Sequence, residues 1–242
     1  MASPELFSSA GSQWWRVQWS KGRMQVAKRF LDFIFAATSL ILLSPVMACV
    51  ALGVRLTSRG PVLYRGLRVG CNGRSFRMLK FRTMIVDAEA LGGYCVGEDD
   101  PRITSFGRWL RKYKLDELPQ LINVLRGQMS AVGPRPEVQK YVDLYTDEEK
   151  LILTVRPGIT DWATLWDSDE GAILSGRPDP ERTYLELIRP EKLRLQIKYV
   201  RDQCMLVDLK ILITTIGLVL TRCFGDARSS DRKVQHFLGK QP

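Results

Sequence analysis

Histidine is almost absent from this 242-residue chain: His236, in a polar C-terminal tail, is the only one. That scarcity argues against a Ser-His-Asp triad, a Cys-His pair and a His-ligated zinc site. Cysteines are few and scattered, at positions 49, 71, 95, 204 and 223, with no CxxC and no metal-ligand spacing. They read as reduced thiols in a cytosolic or membrane setting. Internal repeats are lacking, and no cleavable signal peptide is expected. The first long apolar run starts near Phe30, is too long for a signal core and is interrupted by a proline. Acidic residues are the short side of the charge balance, 26 against 36 Lys and Arg, a net +10. Such an excess suits an anionic partner, whether nucleic acid, anionic lipid or a phosphorylated substrate, without choosing among them.

What is present is a chain of distinct segments. Residues 1–24 are polar, with Trp14, Trp15 and Trp19 beside Arg16, Lys21 and Arg23; they read either as an interfacial tail or as a loose terminus. Residues 25–60 contain the run from Phe30 to Leu56, long enough to span a bilayer, which needs about 20 apolar residues. Ser44-Pro45 sits in its middle, where proline kinks or breaks a helix and serine can satisfy the freed backbone. Lys28 and Arg29 precede the run, and Arg55, Arg59, Arg65 and Arg68 end or follow it. Positive flanks mark the cytoplasmic side, and both flanks are positive. A re-entrant helix bent at Pro45 meets that demand better than a kinked span or a buried core hairpin.

Residues 61–203 read as a cytosol-facing catalytic domain of class α/β or α+β. A hairpin is expected around Asn72-Gly73. Helices are expected near 84–90, 106–113, 119–125, 147–153 and 180–200, with a Gly-rich acidic loop over 92–102. Residues 204–224 place Leu206, Leu209, Ile213, Ile216 and Leu220 on one helical face and Asp208, Lys210, Thr214 and Thr215 on the other. That pattern fits a helix lying in a membrane surface or one packed on a core. Residues 225–242 form a polar tail.

The most informative stretch runs from Leu110 to Pro136. Pro119 suits the first turn of a helix, so Asp116 and Glu117 fall at or just before a helix start. They could simply cap the amides there. With Arg111, Lys112 and Lys114 before them and Arg135 after, in a Gly-Pro-Arg-Pro turn, they could instead hold a divalent metal and a diphosphate together.

These pieces resemble the bacterial sugar transferases, more narrowly the monotopic phosphoglycosyl transferases. The resemblance is carried by Lys28-Arg29 and the apolar run with Ser44-Pro45, by Lys80-Phe81-Arg82-Thr83-Met84, and by Leu115-Asp116-Glu117-Leu118-Pro119-Gln120-Leu121. It continues through Asn123-Val124-Leu125, Val132-Gly133-Pro134-Arg135-Pro136, Val155-Arg156-Pro157-Gly158-Ile159-Thr160 and Asp208-Leu209-Lys210-Ile211. Each piece is weak alone, while their order and spacing are specific.

The resemblance implies a re-entrant helix broken at Ser44-Pro45 and a catalytic dyad, Asp116 and Glu117, that also binds Mg²⁺. It implies a nucleoside diphosphate sugar as donor, usually a UDP-sugar, a polyprenyl phosphate as acceptor, and a bacterial inner-membrane location facing the cytosol. Asp116 would form an acyl phosphate with the sugar phosphate; Glu117 would bind metal or take a proton. Arg111, Arg135, Lys80, Arg82 and Arg156 are the candidate phosphate ligands. Lys80 and Arg82 also fit a solvated strand face, and Arg156 could merely brace its turn.

The chain departs from the family pattern at Gln128, at Asp161 and Thr164, and over 166–194, which carries Asp167, Asp169 and Glu170 and is a candidate part of a sugar pocket. It resembles the minimal, catalytic-domain-only form. Membrane lipid is an expected partner, nucleic acid is not, since no nucleic-acid motif appears, and self-association into a homo-oligomer is left open. A membrane-anchored basic binding protein or non-catalytic scaffold is the alternative reading.

Overall fold

The computed structural model describes the backbone of residues 8–167 and 170–224, and side chains over 25–167 and 170–221. The side chains of Trp14, Trp15 and Trp19, residue Asp169 and the tail with His236 lie outside the described residues.

Helix α1 runs from Ser8 to Thr57, starting inside the segment expected to be a separate tail. It continues through Pro45, so the expected break at Ser44-Pro45 is corrected to a continuous helix. Proline leaves the carbonyl of Ile41 without its usual N–H partner. The Ser44 hydroxyl donates to that carbonyl at 2.8 Å and replaces the missing bond. The stretch Gln25–Thr57 is long and apolar enough to cross a membrane, and little of its most apolar window is buried.

Both ends of this stretch grip the same globular body. Near its start, Arg29 donates to the carbonyls of Val124 and Leu125 at 2.6 and 2.8 Å. The buried Asp32 carboxylate accepts from the Ser130 hydroxyl and the Ala131 amide at 2.8 and 3.0 Å. In its middle, Phe35, Ala36, Leu40 and Leu43 pack against Phe76, Met78, Leu121, Val124 and Met129. Near its end, Val50 and Val54 pack on Phe81 and Leu110. The opposite face leaves Phe30, Phe33, Ile41, Leu42 and Leu52 exposed.

Strands β1 (Leu63–Val69) and β2 (Ser75–Phe81) form the expected hairpin, paired from Leu63 opposite Phe81 to Val69 opposite Ser75. Asn72 and Gly73 both take positive φ, 55° and 72°, at its turn. The helix expected over 84–90 is corrected: Met84 instead bridges to Ile103, and only a 3-10 turn, Ala88–Leu91, follows. Asp87, with φ 60°, stops a longer helix there. Helix α2 (Ser105–Lys112) is capped by Thr104, whose hydroxyl accepts from the Gly107 amide at 2.9 Å. A 3-10 turn, Leu115–Glu117, leads to α3 (Gln120–Leu125), preceded by Pro119.

Strand β3 (Ser130–Val132) and β4 (Gly158–Thr160) pair in parallel, with α4 (Gln139–Val142) between them in sequence. Three-residue strands carry too little alternation to be read from sequence. Gly133 and Gly158 let the two chains approach closely, because a Cβ on Gly158 would lie 2.1 Å from the Gly133 amide nitrogen. Residues 149–154 form a 3-10 helix rather than the α-helix expected over 147–153. Helices α5 (Trp162–Trp166) and α6 (Glu170–Leu174) follow. The single helix expected over 180–200 is divided into α7 (Pro180–Thr183), a π turn (Tyr184–Ile188) and α8 (Arg189–Asp202). Pro190 cannot donate a backbone hydrogen bond, which accounts for the wider turn before it.

Helix α9 (Met205–Phe224) closes the described chain. Its packing is inverted relative to a soluble amphipathic helix. Asp208, Ile211 and Leu218 are buried, while Leu206, Leu209, Ile213, Ile216 and Leu220 face outward. Asp208 is paired inside, with Lys28 of α1 at 2.5 Å and with the Tyr199 hydroxyl at 2.7 Å. Helix α1 likewise buries a charged residue, Asp32, among its inward apolar side chains while Phe30, Phe33, Ile41, Leu42 and Leu52 face outward. Outward apolar faces on two helices suit an apolar surrounding or partner.

Candidate active site

The path from β2 to β3 brings four separate backbone segments to one place. Strand β2 supplies Lys80, the last turn of α2 supplies Arg111, the 3-10 turn supplies Asp116 and Glu117, and the turn after β3 supplies Arg135. Lys114 enters the 3-10 turn in the left-handed region, φ 56°, a conformation uncommon for a side chain of this size. That bend turns the chain back so that both carboxylates point at the cations.

Glu117 is saturated. Arg135 makes a two-pronged contact, with Nη1 2.9 Å from Oε2 and Nη2 on Oε1. Lys80 Nζ lies 2.9 Å from the same Oε1. Planar guanidinium–carboxylate pairs of this kind are among the stronger protein hydrogen bonds. Arg135 Nη1 also reaches the Ile159 carbonyl at 3.3 Å, which ties it to β4. Burial raises the Glu117 carboxyl, but Arg135 and Lys80 outweigh burial and hold it well below the ordinary range.

Asp116 differs in every respect. It is 5% exposed, its Oδ2 lies 3.9 Å from Lys80 Nζ, and its buried Oδ1 has no hydrogen-bond partner among the described residues. Burial pushes its pKa up, against the pull of Lys80, and the Glu117 charge adds to the rise. A buried carboxyl oxygen without a partner costs stability. It is also an oxygen with uncommitted lone pairs, on a carboxylate that lines a cavity. Arg111 donates to the Thr83 hydroxyl at 2.9 Å, and burial lowers its pKa.

Two of the expected phosphate ligands bond elsewhere in this structure, although Arg82 also lines the cavity of the dyad. Arg82 is buried and spends its guanidinium on the end of α1, donating to the carbonyls of Arg59 and Ser58 at 2.5 and 2.9 Å and to the Ser58 hydroxyl at 2.8 Å. It neutralises the negative end of that helix. Arg156 is exposed and donates to the Gly127 carbonyl at 3.1 Å, outside the cavity lining. Lys80, Arg111 and Arg135 are brought together with the dyad.

These residues line a cavity of about 2470 Å³. One end is charged. The other reaches Phe35 and Leu43 of α1 and Leu212, Ile216 and Val219 of α9. A second polar group lines the same cavity: Glu137, Tyr184, Lys192 and Glu170. Glu170, Tyr184 and Lys192 belong to the segment 166–194 expected to contribute to a sugar pocket, with Glu170 among the residues named there, while Tyr184, Lys192 and Glu137 were not singled out.

No group of three or more His, Cys, Asp or Glu suited to a metal occurs among the described residues. Asp116 Oδ1 is an uncommitted hard oxygen, and Mg²⁺ is commonly held by one or two carboxylates plus substrate phosphates. Asp116 therefore fits, while both Glu117 oxygens are committed to Arg135 and Lys80.

Comparison with known proteins follows the same residues. The profile of the bacterial sugar transferases matches residues 23–222. The chain is 36% identical over 200 residues to the UDP-glucose:undecaprenyl-phosphate glucose-1-phosphate transferase of Escherichia coli K12, covering 81% of this chain and 40% of that protein. It is 34% identical over 197 residues to the UDP-N-acetylgalactosamine-undecaprenyl-phosphate N-acetylgalactosaminephosphotransferase of Aeromonas hydrophila, covering 80% and 44%. It is 35% identical over 209 residues to the exopolysaccharide production protein ExoY of Sinorhizobium fredii, covering 80% and 85%. The chain thus spans less than half the length of the first two relatives and most of the third.

Proposed function

This chain belongs to the bacterial sugar transferase family, and from that premise we propose that it moves a sugar 1-phosphate from a UDP-sugar to a polyprenyl phosphate, initiating glycan or exopolysaccharide assembly. The observation that carries the reading is the Asp116 carboxylate, which lines a cavity shared with Lys80, Arg111 and Arg135 and with apolar side chains of α1 and α9, and whose Oδ1 has no hydrogen-bond partner among the described residues. One substrate arrives from water and the other from a bilayer, and one cavity serves both.

A carboxylate oxygen of Asp116 attacks the phosphorus next to the sugar. The bond from that phosphorus to the bridging oxygen breaks, and nucleoside monophosphate leaves with the electron pair. The sugar phosphate stays on Asp116 as an acyl phosphate. A phosphate oxygen of the lipid then attacks the same phosphorus and releases the Asp116 carboxylate. Lys80, Arg111 and Arg135 meet the charge of the diphosphate. Glu117 holds Arg135 and Lys80 in place; ionised this firmly, it is a poor proton acceptor. Mg²⁺ held by Asp116 with substrate phosphate oxygens would neutralise diphosphate charge and favour the ionised carboxylate.

The same reading places the protein at the bacterial inner membrane with its site facing the cytosol. Both flanks of the apolar stretch are positive, and a bilayer cannot pass between two ends that grip the same body. The outward faces of α1 and α9 would then sit in lipid.

The deciding experiment supplies UDP-sugars with undecaprenyl phosphate and follows the nucleotide. Release of UMP with a sugar diphosphate lipid is expected. Release of UDP would mean transfer of the sugar alone, and no nucleotide release from any donor would favour the scaffold reading.

A further inference from the structure

The cavity has two polar ends of different character. At the dyad, Lys80, Arg111 and Arg135 outnumber the two carboxylates, which suits an anion. Beyond Arg135, a buried lysine stands between two carboxylates. Lys192 Nζ lies 2.6 Å from Glu137 Oε1 and 3.7 Å from Glu170 Oε2. It also donates to the Tyr184 hydroxyl at 3.2 Å, and that hydroxyl donates to Glu137 Oε1 at 2.8 Å. All four residues line the cavity, and Lys192 is only 8% exposed.

Here the carboxylates Glu137 and Glu170 are balanced by Lys192 and by Arg68, which also lines the cavity and acts on Glu137, so this region carries no excess positive charge to draw a phosphate. Its donors and acceptors suit a neutral group rich in hydroxyls, since charged partners make the stronger hydrogen bonds. Its place is fixed by the chain: Glu137 follows Arg135 by two residues, a span of at most about 7 Å. The two groups are also linked through space, since the Glu170 carboxylate acts on the Arg135 guanidinium. Glu170 enters from α6, and α6 is braced by the loop over 92–102: Glu98 donates its amide to the Gly171 carbonyl at 3.0 Å, and the Gly176 amide donates to Asp99 Oδ2 at 2.9 Å.

We infer that Lys192, Glu137, Tyr184 and Glu170 form the subsite for the donor sugar's hydroxyls, and that Glu170, the half-exposed member, decides between donors that differ at a hydroxyl. Glu137 and Tyr184 satisfy Lys192 on one side and fix its position. The Glu170 carboxylate, at a longer distance from Lys192, has oxygens left to accept from a sugar hydroxyl. This inference rests on the proposed transfer reaction.

The test is Glu170→Gln in the full-length protein in membranes. Lys192 is avoided because its loss would leave Glu137 charged and buried. UMP release is measured with UDP-glucose, UDP-galactose, UDP-N-acetylglucosamine and UDP-N-acetylgalactosamine, and UMP binding is measured separately. The ratio of kcat/KM between epimeric donors should change by about tenfold or more, as a lost hydrogen bond to a substrate hydroxyl demands. UMP affinity should stay the same, since UMP lacks the transferred sugar that the subsite would hold. A uniform loss across all donors, or unchanged ratios, overturns the inference while the transfer reading stands. If the unsubstituted protein releases UMP from none of these donors, the transfer reading itself fails and the inference falls with it.

Discussion

The contrast between Asp116 and Glu117 can be measured without substrate. Glu117 is the buried anchor of Arg135 and Lys80. Glu117→Gln keeps the shape and leaves two largely buried cations with less counter-charge, a change that costs about 3–5 kcal/mol when one partner of a buried pair is removed. Asp116 Oδ1 has no partner, and burial disfavours its charge. An unsatisfied buried group of this kind costs roughly 1–3 kcal/mol. Asp116→Asn relieves the charge and retains an imperfectly bonded amide, so the net change should lie between about 0 and +1 kcal/mol in favour of the folded state. At about 2–4 °C per kcal/mol for a chain of this size, Asp116→Asn should melt at or slightly above the native temperature. Glu117→Gln should melt at least about 6 °C lower. Thermal melting of both variants in nanodiscs, without nucleotide or metal, gives the comparison. Activity should run the other way for Asp116→Asn, with UMP release falling by about 10⁴-fold or more. If Asp116→Asn loses as much stability as Glu117→Gln, Oδ1 is a structural acceptor, and the account of a nucleophile held at a cost is wrong.

Further outcomes follow from the same geometry. Incubation with a UDP-sugar and no lipid should add the mass of one sugar phosphate, mapped to Asp116 by peptide mass spectrometry; a native rate of turnover in Asp116→Asn would rule out the covalent route. Exhaustive chelation should abolish UMP release and added Mg²⁺ should restore it, whereas full activity after chelation would exclude a metal requirement. Lys28→Met leaves Asp208 charged and buried and should destabilise the fold by about 3–5 kcal/mol, read as a fall in melting temperature; an unchanged melt would show that the pair contributes nothing. Cysteines placed near positions 25 and 62 should both label from the cytosolic side of intact membranes, and labelling from opposite sides would refute the monotopic arrangement.

The hairpin, α2, α3 and the approach of Arg135 to the dyad were legible because their signals are local. Asn72-Gly73 fixes the turn, Thr104 caps α2, Pro119 starts α3, and charge spacing points to Asp116, Glu117 and Arg135. The roles of Arg82 and Arg156 were not legible. An arginine bound to a helix-end carbonyl and one bound to a phosphate look alike in sequence, and only the fold shows which carbonyls lie within reach. The polar group around Lys192 was legible only in part: Glu170 and its segment were marked as a candidate part of a sugar pocket, but Glu137 lies 55 positions before Lys192 and only the fold pairs them. The helix through Pro45 was misread as broken because the hydroxyl of Ser44 replaces the lost backbone bond from within the same turn.

The way α1 is held bears on how this protein could be handled or inherited. Its apolar stretch is not a tether attached to a finished domain. Ala36 completes one packing cluster with Phe76, Val124 and Met129, while Val50 and Val54 complete another with Phe81 and Leu110. Asp32 satisfies the start of the very strand that leads to Arg135. Trimming the chain before Ser58 would therefore strip the interior rather than release a soluble enzyme. Anchor and catalyst form a single unit of folding, and gene fusions or exchanges that preserve function should be expected to cut outside that unit, never between its two parts.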